Sequence, residues 1–373
     1  MSVIESLKIE KQTLESKEID AICKLIKDFS DIARPEELLP TSVCDQVSFI
    51  ISNTFTGMAN AIRRCLMAEI ETQCLHFEKE NLETTDDYIL YDALVKNINM
   101  IPIYQDAALE SKQVLYLYSK NNSHNFAEVM ASEFVIADNS HSPPRELAAK
   151  KIMAETTLPI VRLMTARHIN IKKCEIVRGF AYQDAAKFTL LNSVAYEPLD
   201  VTPYDPFTGE GVSSTRSNPT KFAISYITKG NIKPKEVMLK CCDSLIARLN
   251  TFNDMIKARS ADLSDPRLGL SNRSAPTEQK PKSDAAASSN MIVTSKEDLH
   301  IYKCYGFYNT IGNLLAQKCY LLDENILHCS SSVERLDTEI LILKLRHTTP
   351  NKLLMEACAS CCADLVGIRS AFE

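Results

Sequence analysis

The chain has 373 residues, 45% of them hydrophobic and 24% charged, proportions ordinary for a soluble globular protein with room for two or three cores. The formal net charge of −6 argues against nucleic acid as the main partner, because contact with phosphates requires clustered lysine and arginine in excess. Apolar runs such as residues 340–343 are far shorter than the ~20 residues that cross a bilayer, and residues 1–12 contain no apolar signal core. We therefore expect an intracellular protein that binds proteins, with no membrane partner and no direct sequence-specific binding to nucleic acid.

The thirteen cysteines, an odd number scattered along the chain, indicate reduced thiols and not disulfides. Metal binding is one interpretation of Cys358, Cys361 and Cys362 together with the pair Cys241-Cys242. We favour the other, that these cysteines pack as small hydrophobes, because all five lie in helical apolar patterns. We expect no cofactor and no metal. The seven histidines form no His-x-x-x-His group and the nine glycines form no phosphate-binding loop, so no catalytic site is expected either.

In chain order, residues 1–40 are predicted to be an extension with a strand near residues 7–9 and an amphipathic helix ending near Phe29. A short strand at 49–52 and a polar turn at 53–57 follow, and hydroxyl groups in this turn are expected to cap the next helix. One face of that helix is apolar and consists of Met58, Ala61, Ile62, Cys65 and Leu66.

The opposite face of this predicted helix carries Asn60, Arg63, Arg64 and Met67. Spacing alone is compatible with an ordinary solvated face. An amide, two adjacent arginines and an exposed methionine are nevertheless more than solubility requires. We therefore keep a binding surface as the second interpretation.

These residues also carry a resemblance to a known family. Residues 53–70, with Ala59-Asn60-Ala61-Ile62-Arg63-Arg64 and the later Met100-Ile101-Pro102-Ile103, resemble the α motif of RNA polymerase assembly subunits. That family includes the bacterial α amino-terminal domain, the archaeal D subunit and the third-largest subunit of eukaryotic RNA polymerase II. Asn97 and Asn99 stand where the family has Arg and Gly. The resemblance implies that Asn60, Arg63, Arg64 and Met67 dock a large polymerase subunit.

After the motif helix we predict a strand at 73–82 and a helix at 86–98 capped by Asp86 or Asp87. Residues 104–219 then resemble the inserted mostly-β domain of the family, followed by a loop. Its predicted strands are 114–118, 158–163 and 174–181. Several relatives hold zinc on cysteines at the start of this domain, but residues 104–157 contain no cysteine, so no metal is expected there.

Residues 220–260 are predicted to complete, with residues 41–103, a discontinuous first dimerisation module. They contain a strand at 221–228 and a long helix opened by Pro234. The helix has an apolar seam at spacings of three and four, formed by Met238, Cys241, Leu245, Leu249, Phe252 and Ile256. A single buried helix would explain this seam, whereas the family places the helix at its dimer interface. Residues 261–295, rich in Ala, Ser and Pro, are predicted to be a flexible linker.

The segment 296–373 repeats the first half in abbreviated form. Residues 305–315 align with residues 52–62, which gives a second motif containing Thr310, Gly312 and Asn313. A strand at 339–346 follows, and then a helix with the seam Leu354, Ala357, Cys361, Leu365 and Ile368. This half resembles the small partner subunits of the family, the archaeal L subunit and the eleventh subunit of RNA polymerase II. It lacks the arginine pair, which implies that Arg63 and Arg64 alone make that contact.

We therefore predict an α+β fold in which two α-like dimerisation modules pair within one chain as a pseudo-heterodimer, with a mostly-β domain inserted in the first. The resemblance implies a non-catalytic platform that docks the two largest subunits of a DNA-dependent RNA polymerase, and a further partner of the tenth- or twelfth-subunit type. It also resembles subunit fusions of large cytoplasmic DNA viruses, which implies the host cytoplasm and the virion, or otherwise the nucleus. The alternative is a free-standing homodimeric interaction module or regulator.

Overall fold

The structure of the protein, a computed structural model, covers nine ranges of the chain. The described residues are 3–12, 44–139, 145–148, 151–154, 156–200, 219–264, 291–296, 298–334 and 340–373. The predicted amino-terminal helix and most of the predicted linker, residues 265–290, lie outside these ranges. Within them, no helix is both long enough and apolar enough to span a bilayer.

The described elements alternate between short strands and a few helices. The strands are β1 Val3–Gln12, β2 Cys44–Ser52, β3 Glu71–His76, β4 Leu82–Thr84, β5 Gln113–Lys120, β6 Ala127–Met130, β7 Phe134–Asp138, β8 Arg145–Ala148, β9 Pro159–Leu163, β10 His168–Phe180, β11 Leu191–Pro198, β12 Phe222–Thr228, β13 Met291–Lys296, β14 Leu299–Tyr305, β15 His328–Val333 and β16 Ile340–Arg346. The helices are α1 Thr56–Arg64, α2 Tyr91–Asn99, α3 Ala185–Phe188, α4 Pro234–Ser264, α5 Asn309–Leu322 and α6 Pro350–Ser370. Mixed α+β character is thus confirmed.

Two antiparallel four-stranded sheets have the same topology. Their orders are β1-β2-β12-β11 and β13-β14-β16-β15. In the first sheet α1 follows β2 and α4 follows β12, and in the second α5 follows β14 and α6 follows β16. Even the entry turns agree, because Asn53 before α1 and Gly306 before α5 both have positive φ, 54° and 81°. Asn and Gly are the residue types that adopt this left-handed conformation at least cost.

Both sheets pack against one continuous set of buried residues. α4 lies against α6, and the seam side chains of both helices belong to this core. The predicted seam residues are all fully buried: Met238, Cys241, Leu245, Leu249, Phe252 and Ile256, with Leu354, Ala357, Cys361, Leu365 and Ile368. Two edge-to-face aromatic pairs join the halves, Phe49 with Phe372 at 5.1 Å and Phe252 with Phe307 at 5.7 Å between ring centroids.

A separate core lies beneath a third sheet. This six-stranded sheet has the order β3-β10-β5-β7-β8, with β4 also paired to β10, and β6 pairs with β9 beside it. Its core contains residues from β3 and α2 as well as from the later strands. Ile98, Ile101 and Ile103, which the sequence analysis placed in the first module, are buried in this second core. Conversely β11, predicted to lie in the inserted domain, is a strand of the first sheet paired along its length with β12.

Several local predictions were wrong for identifiable reasons. α2 begins at Tyr91 because the Asp86 carboxylate closes a turn, accepting from the backbone N–H groups of Tyr88 at 3.2 Å and Met164 at 2.9 Å. β3 ends at His76, and a short 3₁₀ turn precedes β4. The capping residue of α1 is Phe55, without a side-chain cap.

The predicted linker is shorter than residues 261–295. At its start, residues 261–264 continue α4. At its end, residues 291–296 form β13, which pairs with β14 and buries Met291 in the shared core. Short apolar strands of this kind cannot be separated from linker by composition alone.

Candidate functional site

The outward face of α1 and of the π turn Cys65–Glu69 that follows it is held in place by contacts within that face. Asn60 and Arg63 are half-buried, whereas Arg64 and Met67 are exposed, Met67 by 46%. The Arg63 guanidinium donates to the Asn60 Oδ1 from Nε at 3.2 Å and from Nη2 at 3.0 Å, and its Nη1 donates to the Met67 Sδ at 3.0 Å. The fork is therefore oriented along the helix surface before any partner binds, which lowers the entropy cost of binding.

Arg64 points instead towards the second half of the chain. Its Nε donates to the Thr310 Oγ1 of α5 at 3.0 Å. Thr310, which is 2% exposed, donates its hydroxyl proton to the Glu69 carboxylate. Glu69 is 3% exposed and also pairs with the Arg248 guanidinium of α4. These four residues, here called the junction network, connect α1, the π turn that follows it, α4 and α5.

Sequence reasoning grouped Arg63 and Arg64 on one surface, and it did not identify Glu69 or Arg248. A signal was available for Glu69, which continues the apolar i, i+3, i+4, i+7 face formed by Ile62, Cys65 and Leu66. A charged residue at a core position needs a partner, so this position indicates a buried ion pair. Arg248 is outside the predicted α4 seam, and the sequence pattern does not mark it.

The second motif has a different structural role at each of its three positions. Thr310 faces the first half, as described above. Gly312 is required by close packing, because a Cβ there would lie 2.4 Å from the Leu341 Cδ1 and 2.8 Å from the Ser331 Cβ. Asn313 accepts a hydrogen bond from the Ser331 Oγ at 2.9 Å. The motif therefore fixes α5 to β15 and β16 and leaves one residue for the junction network.

A second buried ion pair lies near the same junction. The Lys318 Nζ of α5 donates to the Asp364 Oδ2 of α6 at 3.0 Å. The same ammonium lies 5.4 Å from the centroid of the ring of Phe55, the residue immediately before α1 in the first half. Each half thus places one ion pair at the junction. Glu69–Arg248 of the first half contacts the Thr310 hydroxyl of the second half, and Lys318–Asp364 of the second half contacts the Phe55 ring of the first half.

Within the described ranges no group of three or more His, Cys, Asp or Glu is placed to hold a metal ion. Burial raises the pKa of the Cys242 and Cys361 thiols to about 12, and that of the Cys241 thiol is raised as well, so these thiols are neutral at physiological pH. A groove of about 640 Å³ beside Glu69 has a mixed lining that includes Glu71, Arg178, Lys240 and Asp243.

Comparison with known proteins identifies the class. The model of the RNA polymerase Rpb3/Rpb11 dimerisation domain family matches residues 48–249, more than half of the chain, and the chain belongs to this family. The matched residues run from β2 through most of α4 and include Asn60, Arg63, Arg64 and Met67. The predicted resemblance to RNA polymerase α-like subunits is thereby confirmed.

One curated relative agrees with this assignment. The DNA-directed RNA polymerase II subunit rpb3 of Dictyostelium discoideum is 27% identical over 141 residues, which are 34% of this chain and 46% of that protein. The match thus spans about half the length of the relative.

Proposed function

We propose that this protein is a non-catalytic assembly subunit of a multisubunit DNA-directed RNA polymerase, on which the two largest subunits come together. The observation that carries the proposal is the family match over residues 48–249, which covers the motif helix α1. On α1 and the π turn that follows it the apolar side is buried in the core, while Asn60, Arg63, Arg64 and Met67 lie on the outer side. A partner can therefore reach these side chains without disturbing the fold.

We further propose that the two halves of the chain are equivalent to two paired subunits. The identical order of their sheets and the packing of α4 on α6 support this interpretation. Contacts at the junction also support it, because they recur when the two halves are exchanged. In the alignment of the halves, Arg64 corresponds to Gln317 and Gly57 corresponds to Thr310. Arg64 bonds to Thr310, and at the aligned positions the Gln317 Oε1 lies 2.7 Å from where a Cβ on Gly57 would sit. Paired contacts of this kind are characteristic of a twofold interface.

The six-stranded sheet fits the proposed insertion in the first half. Between the helix and the next strand of the four-stranded sheet, the second half has residues 323–327, whereas the first half has residues 70–190. Apart from Ile70 and Leu190 at its two ends, which join the shared core, this range contains the residues of the second core. We propose 70–190 as the boundaries of this domain, in place of 104–219. The rest of the first half and the segment 291–373 are then the two modules. This single-chain arrangement resembles the subunit fusions of large cytoplasmic DNA viruses, and for such an origin we propose the host cytoplasm and the virion as its location.

Arg63 is the residue that we expect to contribute most to docking. Its guanidinium is oriented by Asn60 and Met67, so it can bind a carboxylate or carbonyl of a large subunit with little loss of side-chain entropy. Loss of a buried charged contact at an interface costs about 2–5 kcal/mol, which is enough to prevent assembly at cellular concentrations. Arg64 is less suitable for a test because its replacement also removes the bond to Thr310.

The experiment is co-expression of the full chain with the two largest subunits of the polymerase from the same source. Arg63→Glu should reduce the recovered large subunits by about tenfold or more, with an unchanged Tm of the purified chain. Lys96→Glu, the same charge change on an exposed lysine in the last turn of α2, is the matched control and should assemble normally. Wild-type recovery with Arg63→Glu would refute the docking surface. Purified chain that sediments as a dimer would favour the homodimeric interaction module instead.

A further inference from the structure

The junction network contains two hydrogen bonds that cross between the halves, and Thr310 makes both of them, accepting from Arg64 and donating to Glu69. Glu69 belongs to the first half, and its carboxylate accepts from the Thr310 hydroxyl of the second half. Its other partner, Arg248, belongs to the first half as well, so the ion pair is complete before the halves pair. The hydroxyl is therefore the group that the second half adds to an already buried carboxylate.

The aligned positions show what would replace this bond if like halves paired. Thr310 aligns with Gly57 in the alignment of residues 305–315 with 52–62. Continued along the helices, the alignment places Leu322 at the position of Glu69, or Leu321 if the extra residue of the π turn is counted, and both are leucine. Glu69 would then face a glycine between two first halves. Between two second halves Thr310 would lie beside Gln317, which aligns with Arg64, and the two leucines at the Glu69 position are exposed in the structure and offer no carboxylate.

Each of these mismatches leaves a buried polar group without its partner. Between two first halves, one carboxylate oxygen loses its hydroxyl donor. Between two second halves, the Thr310 hydroxyl loses its charged acceptor and has only the neutral amide of Gln317 beside it. An unsatisfied group that is buried costs more than a hydrogen bond gains, and the cost is greatest when the group is charged. The correct pair avoids both losses.

We propose that Glu69 and Thr310 select the pairing of the first half with the second half and disfavour the pairing of either half with its own kind. The proposal rests on the proposed pairing of the two halves and assigns its specificity to this contact. Non-polar burial between α4 and α6 supplies stability but accepts many partners of similar shape, whereas a buried polar pair discriminates between them.

The test uses the whole chain with a specific protease site introduced within residues 265–290. The protein is purified, cut, denatured and refolded, and native mass spectrometry counts pairs of unlike and like fragments by their masses. The wild type should form mostly unlike pairs. Thr310→Val, which keeps the shape and removes the hydroxyl, should raise the ratio of like to unlike pairs at least tenfold, because it removes hydrogen bonds to two charged groups, Glu69 and Arg64, and the loss of one such bond alone corresponds to about tenfold. Thr310→Ser keeps the hydroxyl and should restore the wild-type ratio.

Thr54→Val is the matched control, because Thr54 is also buried in the first half and its Oγ1 has no hydrogen-bond partner among the described residues. If Thr310→Val shifts the ratio no more than Thr54→Val, the proposed selection is wrong while the pairing stands. If wild-type fragments do not pair at all, the pairing itself is wrong. Should Thr310→Val not refold, Glu69→Leu creates the same mismatch from the other helix, and an unchanged ratio in that variant would equally overturn the proposal.

Discussion

Phe372 provides a direct test of whether the two halves depend on one core. Its side chain is buried in the second half and packs edge-to-face on Phe49 of β2, 5.1 Å away between ring centroids. Phe372→Ala removes this pair and leaves a cavity, at a cost of about 3–5 kcal/mol for a buried phenylalanine. Since 1.4 kcal/mol corresponds to a factor of ten, protection of the slowest amides against hydrogen exchange should fall at least a hundredfold.

Hydrogen exchange read by mass spectrometry resolves where this loss occurs. Peptides from β2 and β12 should exchange faster in step with peptides from β14 and β16, because all four strands cover the same buried residues. Peptides from the six-stranded sheet should change little. Phe77→Ala is the matched control: Phe77 is equally buried, packs edge-to-face on Tyr91 at 5.5 Å and lies in the other core. It should have the opposite pattern.

One result would refute this reasoning. If Phe372→Ala accelerated exchange within residues 291–373 and left β2 and β12 unchanged, the two halves would be folding as independent units. The contact between Phe49 and Phe372 would then be a docking contact between finished domains and not part of a shared core.

Three further predictions concern the surface, the pH dependence and the chain connection. Cys362 is the one partly exposed cysteine among those whose side chains are described, so iodoacetamide should modify it faster than its buried neighbour Cys361, as peptide mapping would report. The backbone N–H of Asn325 and the side chain of His347 lower the pKa of Asp323, so its carboxylate stabilises the fold above about pH 4 and this contribution is lost as the pH falls through the lowered pKa. The difference in Tm between wild type and Asp323→Asn should accordingly shrink from pH 6 to about pH 3. Cutting the chain at a site introduced within residues 265–290 should leave both fragments together in native gel filtration, because burial and not the covalent connection holds them; separate elution would contradict this.

Much of the motif helix could be predicted from the sequence, because its apolar positions follow the helical period without interruption. Met58, Ala61, Ile62, Cys65 and Leu66 are all buried. The seams of α4 and α6 were equally clear, since every third or fourth residue is apolar over several turns. The internal repeat was visible for the same reason, because two copies of one element order need the same pattern twice.

Domain boundaries were less predictable because they depend on which core a residue joins. Periodicity shows that Ile98 is buried, but it does not distinguish between two cores of the same composition. Likewise β11 has the pattern of any half-buried strand. That pattern does not show which strand β11 pairs with, and in the structure its partner is β12. The missed start of α2 has a similar cause, because the Asp86 carboxylate is bound to Met164, a residue 78 positions away.

The same limit explains why Arg63 and Arg64, adjacent in sequence and similar in chemistry, have different surroundings. Successive residues of a helix point about 100° apart, so one guanidinium lies along α1 and the other reaches α5. Thr310 and Glu69 are 241 positions apart, and no local pattern connects them. What the sequence does contain is a charge at a position that the apolar period requires to be buried. A buried charge needs partners that come close only when the chain has folded. Glu69 therefore marks the place where one half of the chain can recognise the other.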